Sequence, residues 1–140
     1  PYVMEYNVRM GDPETQVVLP RIKSDFLELM VRTANQTLNN LDLQIHEDTY
    51  ANIVMVAGGY PESYEKGNPI TGIPKDNETS KIFHAGTKEV DNKFFTNGGR
   101  VLSVVSKGSD FKQALSKSYE IAEKIDFKDK NYRKDIGFDL

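Results

Sequence analysis

The 140-residue chain has no cysteine, no tryptophan and only two histidines, His46 and His84. Without cysteine there is no disulfide, no thiolate nucleophile and no sulfur-ligated metal centre. Neither histidine has a second one at metal-ligand spacing, so a transition-metal site lacks its usual ligands. No apolar run approaches the roughly 18 residues of a membrane span. The first ten residues lack the basic start and apolar stretch of a signal peptide, and there is no Gly-x-x-x-x-Gly-Lys-Thr phosphate loop. With 18 basic and 21 acidic residues, the net charge of −3 argues against a general nucleic-acid binder. No nucleic-acid and no membrane partner is expected, and the absence of cysteine matches a reducing cytoplasm. What is present, 38% hydrophobic and 28% charged residues, is the composition of a globular domain, or of one domain with part of another. The chain starts at Pro1 inside what reads as a strand, so the expectation is a piece of a longer protein.

The stretch richest in chemistry is that first one. Read as a strand over 1–10, with side chains alternating faces, it places Tyr2, Met4, Tyr6, Val8 and Met10 on an apolar side. Glu5, Asn7 and Arg9 fall on the other. A hard cation such as Mg²⁺ takes oxygen ligands, typically one or two carboxylates with substrate phosphates, and a guanidinium matches phosphate oxygens with paired hydrogen bonds. Glu-x-Asn-x-Arg therefore reads as half of a nucleotide–metal site. An ordinary amphipathic edge strand reads equally well.

Gly11-Asp12-Pro13 signals a turn. Ser24, with Asp25 in the first turn, predicts a helix running to about Leu38, with Ile22, Phe26, Met30 and Ala34 recurring at i+4. Strands are expected at 42–47 and 50–57, and Ile53–Ala57 should be buried on both faces. A long polar loop follows over 62–79. Short strands are expected at 80–84, 86–90, 92–96 and 100–106, separated by turn signals. A closing helix over about 110–125 is capped by Ser109-Asp110, and a polar tail ends the chain.

Beyond the first stretch the residues carry little chemistry. His84, in Phe83-His84-Ala85-Gly86-Thr87, suits a local hydrogen bond. Asn97-Gly98-Gly99-Arg100 reads as an anion cradle or as a tight turn. Tyr60, Tyr64 and Lys66 read as ligand contacts or as packing at the base of the long loop. Lys88, Lys93 and Lys107 lack the neighbouring Met of a biotinyl or lipoyl carrier. A stand-alone carrier or a non-catalytic interaction module is the alternative reading of the chain.

Taken together, these motifs resemble the glycinamide ribonucleotide synthetase (phosphoribosylamine–glycine ligase) family. Arg9-Met10-Gly11-Asp12-Pro13-Glu14-Thr15-Gln16 is similar to the family's Arg-Phe-Gly-Asp-Pro-Glu-x-Gln signature, with Met10 in place of Phe, a swap between apolar residues. Lys23-Ser24-Asp25, Gly59-Tyr60-Pro61 with Lys66-Gly67, the His84 segment, Gly98-Gly99-Arg100-Val101-Leu102 and Arg133-Lys134-Asp135-Ile136-Gly137 follow in family order, covering nearly the whole chain.

The resemblance implies an α+β chain. Residues 1–38 would be the strand–loop–helix tail of an ATP-grasp domain, and 39–140 a β-rich barrel–sandwich hybrid closed by one helix. It implies a ligase of de novo purine synthesis that joins glycine to 5-phosphoribosylamine through a glycyl phosphate, turning ATP into ADP and phosphate. Glu5 and Asn7 would ligate Mg²⁺ or Mn²⁺, and Arg9 would meet the transferred phosphate. Gly11, Asp12, Pro13 and Glu14 would face glycine or the ribosylamine, and Gly99 and Arg100 the ribose phosphate. A cytoplasmic monomer is expected. The 140 residues alone should be inactive, because the strands and lysines that clamp ATP are not among them.

Overall fold

The computed structural model describes residues 2–6 and 8–140. It divides into two compact units, one ending at Asp48 and one spanning Thr49–Leu140. The sequence expectation placed the division between 38 and 39.

In the amino-terminal unit the expected first strand is not formed. Residues 2–6 and 8–10 belong to no strand, and Tyr2, Met4, Tyr6, Val8 and Met10 are all exposed rather than packed along one face. A strand exists through its ladder partners, and none of the described residues pairs with this segment. The first regular element is a single turn of helix, α1 (Thr15–Val18), which runs into a 3-10 turn at Leu19–Arg21. Pro20 sits in the first turn of that 3-10 piece, where its missing N–H costs nothing.

Helix α2 covers Phe26–Ala34. Asp25, not Ser24, caps it, its Oδ1 accepting from the Glu28 amide at 2.9 Å. Ser24 Oγ instead accepts from the Gln44 amide at 2.8 Å. The helix stops short of Leu38 because Gln36 takes a left-handed φ of 56°. The expected strand at 42–47 reduces to an isolated bridge between Ile22 and Ile45. The apolar side of α2 is amphipathic as expected, yet none of its residues is buried.

The carboxy-terminal unit matches the β-rich reading more closely. Its strands are β1 (Thr49–Val56), β2 (Pro69–Ile70), β3 (Ser80–His84), β4 (Thr87–Val90), β5 (Lys93–Thr96) and β6 (Arg100–Gly108), followed by helix α3 (Phe111–Lys124). They form two three-stranded antiparallel sheets, ordered β1-β6-β3 and β2-β5-β4. The strand buried on both faces is the central β6, from Val101 to Ser106. In β1 the apolar run instead alternates, Ile53 and Met55 buried and Val54 and Val56 half-buried. An edge position in its sheet explains the difference, since β1 is covered on fewer sides than the strand between two neighbours.

Ile53, Met55, Val101, Leu102, Val104, Ile125 and Phe127 make the core. Helix α3 packs on β1 and β6 through its small residues Ala114, Ser118 and Ala122. Ser118 Oγ donates to the Ala51 carbonyl at 3.2 Å, which satisfies a buried hydroxyl. The polar tail is tied back onto the sheets, through bridges Val56–Asn131 and Thr71–Asp126. Lys130 Nζ donates to the last carbonyls of α3, including that of Glu123 at 3.0 Å, where the helix dipole favours a cation.

The α3 cap is Asp110, whose Oδ1 accepts from the Gln113 amide at 2.8 Å. Asp110→Ala is expected to lower the stability of this unit by about 1 kcal/mol. Denaturant unfolding should show a lower midpoint with an unchanged slope; an unaltered midpoint would mean the cap contributes nothing.

Candidate functional site

The described residues of the first stretch are exposed and lead into a loop. Glu5 is exposed, and Asn7 falls outside the described residues. Arg9 is exposed, and its Nη1 donates to the Met10 carbonyl at 3.0 Å. The loop that follows folds back on itself. Its Asp12–Pro13 peptide is cis. The Gly11 carbonyl accepts from the Thr15 amide at 2.9 Å and also from Thr15 Oγ1. The Glu14 carbonyl receives the amides of Val17 and Val18, both at 3.0 Å, while its carboxylate lies against Gly11, where a Cβ would collide with Oε2. Only glycine leaves that carboxylate its place.

Gln16, present in the signature but given no role there, closes this loop from α1. Its Nε2 donates to Asp12 Oδ1 at 2.7 Å, while its Oε1 is buried without a hydrogen-bond partner. The i, i+4 spacing from Asp12 across a helical turn was the available signal. The structure thus gathers Gly11, Asp12, Pro13, Glu14 and Gln16 into one loop with two carboxylates on its surface.

It does not gather a metal cage. Among the described residues no group of three or more His, Asp or Glu side chains converges. A Mg²⁺ ion held mainly by phosphates takes only one or two protein carboxylates, and the exposed Glu5 carboxylate fits that smaller role.

The carboxy-terminal candidates, Gly99 and Arg100, lie at the start of β6 in a packed cluster. The Gly99 carbonyl accepts from the Ala57 amide at 2.8 Å. The ring of Tyr60 occupies the space a side chain at Gly99 would need, with Tyr64 close behind. The two tyrosine rings lie 6.2 Å apart. Arg100 Nε donates to Tyr60 Oη at 3.2 Å. Tyr60 itself follows Gly59, at a φ of 91°, and precedes a cis bond to Pro61. Tyr60 and Tyr64 therefore pack the loop base, the second of their two readings. Gly98 faces Gly86, backbone against backbone, so the segment is a close crossing of main chains.

His84 has the local role expected of it. Its Nδ1 is 3.0 Å from Thr87 Oγ1, and its ring packs on Phe94 at 4.4 Å. In the last motif Arg133 makes a two-point ion pair with Asp135, at 2.9 and 2.7 Å. That guanidinium holds the Asp135 carboxyl below the usual carboxylate range.

Known proteins resemble this chain over nearly its whole length. Residues 50–139 match the family model described as phosphoribosylglycinamide synthetase, C domain. A phosphoribosylamine–glycine ligase of Fusobacterium nucleatum is 50% identical over 139 residues, 97% of this chain and 33% of that protein. A bifunctional purine biosynthetic protein of Pichia angusta is 51% identical over 138 residues, 98% of this chain and 18% of that one. A crystal structure of the Thermotoga maritima phosphoribosylamine–glycine ligase superposes with a TM-score of 0.74 at 39% identity, covering 96% of this chain and 33% of that one. The chain spans about a third of the length of these single-function ligases.

Proposed function

The chain belongs to the phosphoribosylglycinamide synthetase family, and from that premise we propose that it is the carboxy-terminal part of a ligase joining glycine to 5-phosphoribosylamine in purine synthesis. The observation that carries the proposal is sequence identity of about one half, over nearly the whole chain, to a protein named as that ligase. In this reading residues 1–38 end an ATP-grasp domain and residues 39–140 form a barrel–sandwich hybrid. The protein works in the cytoplasm as a monomer.

The proposed reaction has two steps. The glycine carboxylate attacks the γ-phosphorus of ATP, giving glycyl phosphate and ADP. The amine of phosphoribosylamine then attacks the acyl carbon, phosphate leaves, and the nitrogen loses a proton. Bound Mg²⁺ or Mn²⁺ would supply charge neutralisation for the phosphates, with Glu5 and Asn7 as its protein ligands. Arg9 pairs with the transferred phosphoryl group, where negative charge is spread over its oxygens. Asp12 or Glu14 receives the ammonium of glycine or the amine of the ribosylamine, an ionic hydrogen bond of the stronger kind. Gln16 keeps the Asp12 carboxylate oriented for that contact. Gly99 and Arg100 attend the ribose phosphate.

The purified 140-residue chain is expected to release no ADP from ATP in the presence of glycine, since it carries half a site. The direct test replaces the matching third of the Fusobacterium nucleatum ligase by this chain. ADP release that requires both glycine and phosphoribosylamine is the expected result. A folded, ATP-binding chimaera without turnover would overturn the proposal.

A further inference from the structure

The bend that carries the chain from β5, ending at Thr96, to β6, starting at Arg100, holds the sequence's one Asn-Gly pair, Asn97-Gly98. Asparagine is among the thermolabile residues, because the backbone amide that follows it can attack its own side-chain carbonyl. The two groups are covalent neighbours, so rotation within one residue brings them together, as in a fast intramolecular reaction. Two restraints ordinarily prevent it. The Cβ of the following residue crowds the approach, and hydrogen bonds hold the side chain or the amide. Asn97 has neither. Its successor is glycine, whereas each of the other asparagines precedes a residue with a side chain. Asn97 is exposed, and among the described residues its carboxamide makes no hydrogen bond. The Gly98 amide has no acceptor among them either.

Asn77 is the contrary case. Its Oδ1 accepts from the Thr79 amide at 2.8 Å, from Thr79 Oγ1 at 2.9 Å and from the Ser80 amide at 2.9 Å. Three donors hold that carboxamide in place, and Glu78 follows it.

We propose that Asn97 is a deamidation site of the folded chain, and that its conversion loosens the crossing of Gly86 and Gly98. The Gly98 nitrogen forms a bond to Asn97 Cγ, the bond from Cγ to the side-chain nitrogen breaks, and ammonia leaves with the proton from Gly98. Water then adds to either carbonyl of the cyclic imide, and the ring opens. One opening gives an aspartyl residue on an unchanged main chain. The other gives an isoaspartyl residue, whose main chain runs through the former side chain and is longer by one atom. The inference rests on this bend alone and is independent of the ligase reading.

The longer path has no room here. The Asn97 amide donates to the Gly86 carbonyl at 2.7 Å and the Gly86 amide to the Arg100 carbonyl at 2.8 Å, so the bend is pinned at both ends. Between the pins, a Cβ built on Gly98 would lie 2.9 Å from Gly86 Cα. An added main-chain atom therefore drives Gly98 against Gly86 or breaks one of the two hydrogen bonds.

The test is mass analysis of tryptic peptides after the whole chain has aged in warm, mildly alkaline buffer without denaturant. Cleavage after Lys93 and Arg100 isolates Asn97 on residues 94–100, and cleavage after Lys75 and Lys81 isolates Asn77 on residues 76–81. The first peptide should show the amide-to-acid mass gain on the order of tenfold faster than the second, or more, and should split into two chromatographic isomers. Asn97→Gln, whose longer side chain must close a larger ring, should remove that gain. The aged chain should melt roughly 4 °C or more below the fresh one. Asn97→Asp adds the charge without lengthening the main chain and should melt with the fresh chain. Equal rates for the two peptides, conversion of the first only in urea, or a converted chain that melts like the fresh one would overturn the proposal.

Discussion

Glu5→Ala, placed in the chimaera with the Fusobacterium nucleatum ligase, is expected to remove metal-dependent ADP formation while leaving thermal unfolding where it was. The two halves of that expectation have separate grounds. Glu5 is exposed and makes no core contact, and a surface substitution of this kind changes stability by about 0.5 kcal/mol or less. Its carboxylate would be, in the proposed site, the charged one of two protein ligands to the metal, so its loss would leave the ion to Asn7, phosphates and water. Phosphoryl transfer depends on positioning and on charge stabilisation rather than on covalent help from the protein. A turnover loss of about 10²-fold or greater is therefore the expected scale for one electrostatic contact of this type. Raising Mg²⁺ should recover little of it, because the defect lies in placement. An active Glu5→Ala chimaera would favour a non-catalytic role for this stretch.

Gly86→Ala carries the largest expected cost to the fold. A Cβ built on Gly86 lies 2.5 Å from Gly98 Cα, 2.6 Å from the Arg100 carbonyl oxygen and 2.8 Å from the Gly98 nitrogen. All three are main-chain atoms. No rotamer change relieves the overlap, so β6 must shift at its start. The same backbone is held by the Gly86 amide on Arg100 at 2.8 Å and by the Asn97 amide on Gly86 at 2.7 Å. Overpacking of this kind costs about 1–3 kcal/mol or more, and a unit of this size loses roughly 4–8 °C of Tm per kcal/mol. Gly67→Ala is the matching control. It also places a side chain on a glycine, here at a φ of 82°, but nothing lies within 4 Å of the added carbon. Its cost should be the dihedral strain alone, about 1 kcal/mol. Equal melting points for the two variants would show that the crossing of Gly86 and Gly98 is looser than the distances indicate.

The carboxy-terminal unit was legible because its signals are local. Asp91-Asn92 forms the two-residue turn between β4 and β5, with φ of 49° and 58°. Asp110 caps α3, and the strand boundaries at 80–84, 87–90 and 93–96 follow the turn residues. What the residues could not announce was burial. Ile53–Ala57 and Val101–Ser106 are both apolar-rich, and only topology makes β6 central and β1 an edge. The amino-terminal strand failed for the same reason in sharper form. Alternation of Tyr2, Met4, Tyr6 and Val8 specifies a face, but a face needs something to lie against and a ladder needs a partner. In the candidate site, Asp12, Pro13 and Glu14 were visible as a motif, whereas the Gln16 contact required the helical turn that follows them.

The most direct test of the proposed function is growth. The chimaera that carries this chain should let a strain lacking its own phosphoribosylamine–glycine ligase grow without added purines, and the Glu5→Ala form should not. A chimaera that accumulates as folded protein, yet leaves the purine requirement intact, would contradict the assignment of this chain to the ligase.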